Sequence, residues 1–153
     1  MSTLTLRFPP MKLAALLAPF ILMSSSALAV TLSHDTGYDN ASRSLTQVAC
    51  SDGGNGLITA GFSTLGSLPK FPFVGGTDNV SGWNSPQCGT CWKLTYTDGK
   101  GVTRSINVLA VDRANAGWNI ATQAMNALTG GQAVQLGRIN VSQVKVANSQ
   151  CGL

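Results

Sequence analysis

Apolar and polar positions first alternate with a period of two over Val30 to Ser33, which predicts a strand. The alternation returns over Ser44 to Cys50, where Leu45, Gln47 and Ala49 interleave with Thr46 and Val48, and predicts another strand. Leu57 to Phe62 fits one or two helical turns, and Pro69 and Pro72 bar a helix interior after it. Phe73-Val74-Gly75-Gly76 reads as a short strand ended by glycines. Over Trp92 to Thr97 the pattern is strict: Trp92, Leu94 and Tyr96 share one face, and Lys93, Thr95 and Thr97 the other. Asp98-Gly99-Lys100-Gly101 predicts a hairpin turn, and Val102 to Val111 returns as a longer strand ending at Asp112.

The period then lengthens to that of a helix. Ile120, Ala121, Ala124, Met125 and Leu128 fall on one side, with Asn119 as N-cap and Gly130-Gly131 as the stop. Ala133 to Leu136 and Val141 to Ala147 complete the predicted strands. Six or seven short strands, one clear helix and 17 glycines predict a mainly-β fold, a small barrel rather than a parallel sheet with alternating helices. No repeat or linker divides the chain, so one domain is expected.

The residues ahead of the first strand follow another logic. Arg7 and Lys12 precede the apolar run Leu13 to Leu22, and Ala27-Leu28-Ala29 supplies a small-x-small cleavage pattern. Residues 1–29 are therefore expected to be a secretion signal, and residues 30–153 the domain. An N-terminal anchor or a buried helix is the competing reading, but the run is far short of the ~20 apolar residues that span a bilayer.

Charge and cysteine narrow the chemistry. Ten Lys and Arg stand against six Asp, a net of +4, and loss of Arg7 and Lys12 with the leader leaves eight against six. No basic run is present, so nucleic acid is not an expected partner, and the near-neutral balance suits a neutral ligand. Cys50, Cys88, Cys91 and Cys151 form an even set behind a leader, which predicts two disulfides whose pairing the spacing leaves open. Cys88-Gly89-Thr90-Cys91 lacks the partners for zinc, because His34 is the only histidine. It also lacks a thioredoxin-like context for redox chemistry. No metal or cofactor is expected.

Several motifs read together resemble the cerato-platanin family of small secreted fungal proteins. They are Cys50-Ser51-Asp52-Gly53, Asn55-Gly56-Leu57, Gly82-Trp83-Asn84-Ser85-Pro86 and Cys88-Gly89-Thr90-Cys91-Trp92. Val108-Leu109-Ala110-Val111-Asp112, the run Ala124 to Ala133 and Cys151-Gly152 follow in the expected order. The resemblance implies a six-stranded double-psi β-barrel with short helices, bridges Cys50–Cys88 and Cys91–Cys151, and kinship with expansins and barwin-like proteins. It implies secretion to the culture medium and cell wall, binding of chitin oligomers or related neutral polysaccharides in a shallow groove, loosening of wall material, and elicitation of plant defence through plant surface receptors.

Carboxylates separate an enzyme from a binder. Glycoside hydrolysis needs an acid and a second carboxylate, roughly 6.5–9.5 Å apart for inversion and about 5 Å for retention. Asp112 closes the most apolar strand and resembles the acid of expansins and their hydrolase relatives, and a structural Asp bonding backbone N–H groups is the other reading. No second carboxylate stands out as its partner, which favours a non-catalytic binder over a weak hydrolase with Asp112 as acid. A surface-active or elicitor protein that acts without a groove is a third reading. Candidate sugar contacts are Tyr38, Asp39, Asp52, Asn55, Trp83, Asn84, Asp112 and Trp118. Trp83 and Trp118 lie in glycine-rich loops as candidate exposed platforms, whereas Trp92 belongs to the core pattern. Arg113 reads as a solvated surface group. Asn40, Asn79 and Asn140 open glycosylation sequons.

Overall fold

The computed structural model describes residues 28–153, so residues 1–27, the bulk of the expected leader, lie outside the described residues. Six strands are present: β1 (Leu28–His34), β2 (Val74–Thr77), β3 (Cys91–Thr97), β4 (Thr103–Arg113), β5 (Trp118–Ile120) and β6 (Arg138–Val146). They close into a barrel in the order β1-β5-β2-β4-β3-β6. The β1–β5 and β2–β4 pairs are parallel and the other four antiparallel. The mainly-β barrel expected from the pattern is therefore the fold.

Alternation decides what fills the barrel. Leu32, Leu94, Val108, Trp118, Ile120 and Val141 are buried, and their strand neighbours Ser33, Lys93, Asn119 and Asn140 are half-buried or exposed. Trp92 and Trp118 meet edge to face inside, ring centroids 6.2 Å apart. A second apolar layer lies outside β4. Leu45, Val48, Leu57, Leu65 and Leu68 come from the long segment between β1 and β2 and belong to the same core cluster as Leu109 and Val111. That segment is tied to the barrel by the bonds Cys50 N–H to Val111 O (3.2 Å) and Leu109 N–H to Phe73 O (3.0 Å).

Three elements differ from the sequence pattern. Ser44 to Cys50 is not a strand: Leu45–Gln47 is a 3-10 turn, and only Ser44 makes a bridge, to Thr64. Leu45, Val48 and Cys50 are buried, which is not the Leu45, Gln47, Ala49 alternation of a strand, and Ser44 Oγ accepts from Thr46 N–H, so local capping outcompetes the ladder. Ala133–Leu136 is a helical turn, α2, rather than a strand, with Ala133 N–H bonded to Asn126 Oδ1 and Leu136 N–H to Gln132 O. The main helix, α1 (Thr122–Thr129), buries Ala124, Met125 and Leu128 as expected but starts after Asn119, which is part of β5. Ala121 occupies the N-cap and has no side chain to offer. Asp39, 83 residues away in sequence, supplies the cap: its carboxylate accepts from Thr122 N–H at 3.1 Å and Gln123 N–H at 3.0 Å.

The cysteines pair as Cys50–Cys88 and Cys91–Cys151, the pairing implied by the family resemblance, closing separations of 38 and 60 residues. The first pins the outer layer and the second pins the chain end to β3. Loops of this size restrict the unfolded chain by about 4 kcal/mol each. Replacing Cys91 and Cys151 together by serine is expected to lower stability by about that amount, read as a fall in the urea midpoint; an unchanged midpoint would contradict this role.

Candidate functional site

A polar row crosses the outer face of the barrel. In register, Arg138 of β6 faces Ser33 of β1, Ser33 faces Asn119 of β5, Asn119 faces Gly76 of β2, and Gly76 faces Asp112 of β4. Direct cross-strand neighbours share a face. Four inter-strand steps make the row on the order of 15–20 Å long over the curved sheet. Ser33 Oγ donates to Asn119 Oδ1 at 3.2 Å, which links the middle of the row.

Asp112 joins this row through a backbone irregularity. Leu109 and Ala110 pair with Val74 and Gly75, but Asp112 pairs with Gly76, so the register shifts between the two glycines. One extra residue in β4 reverses the alternation beyond it. Without the shift, Val111 would face Gly76 and the carboxylate would move off the row. Glycine at position 76 also leaves room: a Cβ there would stand 3.0 Å from the Tyr38 hydroxyl oxygen and 3.0 Å from Arg113 O.

The carboxylate of Asp112 is fully engaged. Oδ1 accepts from Ala49 N–H and Arg113 N–H, both at 2.8 Å, and Oδ2 accepts from the Tyr38 hydroxyl at 3.0 Å. Burial first, then the adjacent negative charge of Asp112, pushes Tyr38 well above the usual tyrosine range. Tyr38 therefore stays a neutral donor, and Arg43 lies 5.0 Å from its ring centroid. Asp39, a candidate sugar contact, lies next to Tyr38 in sequence and spends its carboxylate on the cap of α1.

Four other candidates form a separate cluster. The Trp83 indole N–H donates to Asp52 Oδ1 at 2.6 Å. Asn55 N–H donates to Asn84 Oδ1 at 3.0 Å, and Asn55 Nδ2 donates to Asn84 O at 2.9 Å. Asn84 has φ +58°, in the left-handed region. Gly53 lies under this pair: a Cβ would meet Asn84 Oδ1 at 2.8 Å and the Trp83 ring at 3.1 Å. The result is an indole 64 % exposed yet fixed in orientation. Trp118 departs from expectation. It is not an exposed platform but wholly buried, because β5 turns it into the barrel, where its indole N–H donates to Gln143 Oε1 at 2.8 Å.

Sequence reading missed Ser33, Asn119 and Arg138 and set Arg113 aside as a surface group. These residues, with Ala114, Asn115 and Ala116, line an open cavity of about 320 Å³ that reaches from Arg138 of β6 to Arg113 at the end of β4. Its loop is held by Asp78, whose Oδ2 accepts from Gly117 N–H at 2.8 Å. No three His, Cys, Asp or Glu side chains gather into a metal-binding group among the described residues. Of the sequons, Asn40 and Asn140 are exposed, whereas Asn79 donates from Nδ2 to Thr77 Oγ1 at 2.9 Å and Gln143 Oε1 at 3.2 Å.

Two outcomes are expected. Asp39→Ala removes a cap at a distance and is expected to cost about 1 kcal/mol, measured by urea denaturation, with a loss below about 0.3 kcal/mol contradicting the cap. Hydrogen bonds from Trp83 and Ser51 hold the Asp52 carboxyl below the usual carboxylate value of 3.8. The Asp52–Trp83 tie is thus complete above that value and lost as pH falls through the lowered one. The Trp83 indole proton resonance is expected to titrate with a midpoint below 3.8; a midpoint at or above it would contradict the tie.

Comparison with known proteins gives a consistent set of relatives. A family model described as cerato-platanin matches residues 30–153. The heat-stable 19 kDa antigen of Coccidioides immitis (strain RS) is 46% identical over 140 residues, covering 92% of each chain. The protein named cerato-platanin from Ceratocystis fimbriata f. sp. platani is 43% identical over 130 residues, covering 84% of this chain and 91% of its own. Among solved structures, cerato-platanin 2 from M. perniciosa superposes with a TM-score of 0.78 at 51% identity, over 82% of this chain and 99% of its own. The solution structure of the fungal elicitor cerato-platanin superposes with a TM-score of 0.69 at 42% identity, over 80% and 96%.

Proposed function

The chain belongs to the cerato-platanin family, and from that premise we propose that it is an exported, non-catalytic protein that binds wall polysaccharide, with chitin oligomers as the first ligand to test. Export is supported by the leader pattern in residues 1–29 and by the two disulfides. The domain that acts outside the cell is residues 30–153. Among the described residues, no helix is long and apolar enough to cross a membrane.

The observation that carries the binding reading is the polar row ending at an Asp112 whose two oxygens already accept three hydrogen bonds. A group that acts on a substrate needs atoms free to reach it, and both Asp112 oxygens already serve the fold by accepting from Ala49 N–H, Arg113 N–H and the Tyr38 hydroxyl. The nearby carboxylates are also occupied: Asp39 caps α1 and Asp35 Oδ1 accepts from Gly37 N–H at 2.7 Å. Among the described residues these carboxylates are bonded within the fold, which supports a binder over the two-carboxylate chemistry of hydrolysis. Amide and hydroxyl groups on Ser33 and Asn119 suit sugar hydroxyls, and the fixed Trp83 ring suits the apolar face of a sugar. Loosening of wall material then follows from binding that competes with polymer–polymer contacts. A role as an elicitor is carried over from the solved relative described as a fungal elicitor; plant defence and a plant surface receptor are added by the family resemblance alone.

Titration of the secreted domain with chitin oligomers, followed by amide resonances, is expected to shift Ser33, Asn119 and Arg113, with further shifts at Trp83. No shift anywhere would overturn the binding reading. Reducing-end release from chitin and cellulose is expected to stay at background; release abolished by Asp112→Asn with the fold intact would establish the hydrolase instead.

A further inference from the structure

The near-neutral balance of residues 30–153, eight Lys and Arg against six Asp, hides a local concentration of one sign. Arg113 and Arg138 come from distant parts of the sequence and line the same open cavity of about 320 Å³, together with Ser33, Asn115 and Asn119. No carboxylate is part of that lining. The ion pair found among the described residues joins Arg104 to Asp98 at 3.6 Å, so neither cavity arginine has a carboxylate partner. Arg138 makes a single bond, from Nη1 to Thr31 Oγ1 at 3.3 Å, which leaves most of its five donors free. Asp78 fixes the cavity loop by accepting a backbone bond, and Asp112, next to Arg113 on β4, spends its two oxygens on bonds from Ala49 N–H, Arg113 N–H and the Tyr38 hydroxyl.

From this geometry we infer that the cavity is a subsite for an acidic sugar, a uronate residue whose carboxylate is taken by Arg113 and Arg138. The inference rests on the reading of the row as saccharide-binding and adds the charge of one residue. Guanidinium donors match a carboxylate in fork geometry. A bare anion would use the two arginines alone. The adjoining Ser33 hydroxyl and the Asn115 and Asn119 amides extend the polar lining to groups suited to ring hydroxyls, and the cavity volume is at the lower end of the small-molecule range.

The test uses the secreted domain and four probes: a tri-uronate oligosaccharide, its neutral methyl ester, a chitin trimer and inorganic sulfate, each titrated by NMR. The uronate is expected to bind about tenfold more tightly than its ester at low salt, an advantage that fades as ionic strength rises. Its shifts should centre on Ser33, Asn119 and Arg113. Arg113→Gln with Arg138→Gln is expected to bring the uronate-to-ester affinity ratio down from about tenfold to about one. Equal binding of uronate and ester, or an advantage that survives the double substitution, would overturn the acidic subsite while chitin binding left the row as a neutral saccharide site. Sulfate binding as tightly as the uronate would reduce the cavity to a simple anion site and also overturn the inference. Failure of every saccharide would remove the underlying reading itself.

Discussion

A one-residue slip in the parallel pairing of β2 with β4 decides which face of the barrel carries the Asp112 carboxylate. Side chains on a strand alternate, so inserting Val111 between the paired positions moves Asp112 to the outer row and keeps Val111 within the second apolar layer. The carboxylate then joins β4, through Arg113 N–H, to two parts of the long segment between β1 and β2: Ala49, through its N–H, and the 3-10 turn Thr36–Asp39, through the Tyr38 hydroxyl. Glycine at 76 is the steric condition for that meeting, since any Cβ would press on the same hydroxyl. The most conspicuous acid in the sequence is thus first a structural bond acceptor, and its position at the end of a polar row is a consequence of the same bulge.

The remaining architecture serves to hold that arrangement still. A barrel this small has a thin interior, filled by Trp92, Trp118 and a few aliphatic residues, and a second apolar layer on the outside of β4 supplements it. The Cys50–Cys88 bridge fastens that layer, and Asp39 fastens the 3-10 turn to the start of α1. Loops rich in glycine and polar residues are held by covalent and hydrogen-bonded ties rather than by deep burial. The Trp83 indole shows this on a small scale: largely exposed, it is oriented by Asp52 and by a loop in which Asn55 and Asn84 bond each other.

Where the sequence was legible, the reason is periodicity sustained over enough residues. The alternation of Trp92, Leu94 and Tyr96, the Asp98 hairpin and the apolar side of α1 each stand in the structure as read. Shorter segments were ambiguous. Leu45 and Val48 fit a strand or a 3-10 turn over so few residues, and the local bond of Ser44 decided it. Four residues at Ala133–Leu136 carry no period at all. Asn119 was read as a cap because capping is a local signal, whereas the actual cap comes from Asp39 across the fold. The same limitation hid the row: Ser33, Asn119 and Arg138 are unremarkable in sequence and become a site only through the register of three strands. Trp118 was misplaced because a loop-like glycine neighbour concealed a three-residue strand that turns the ring inward.

The proposed sugar-binding line lies on the outside of the barrel wall, along residues that the strand register brings together. A crystal structure of the secreted domain with a bound chitin tetrasaccharide shows where a sugar chain lies. The rings are expected to cross β6, β1 and β5 over Arg138, Ser33 and Asn119 toward Asp112. A chain bound elsewhere, away from that row, would contradict this placement.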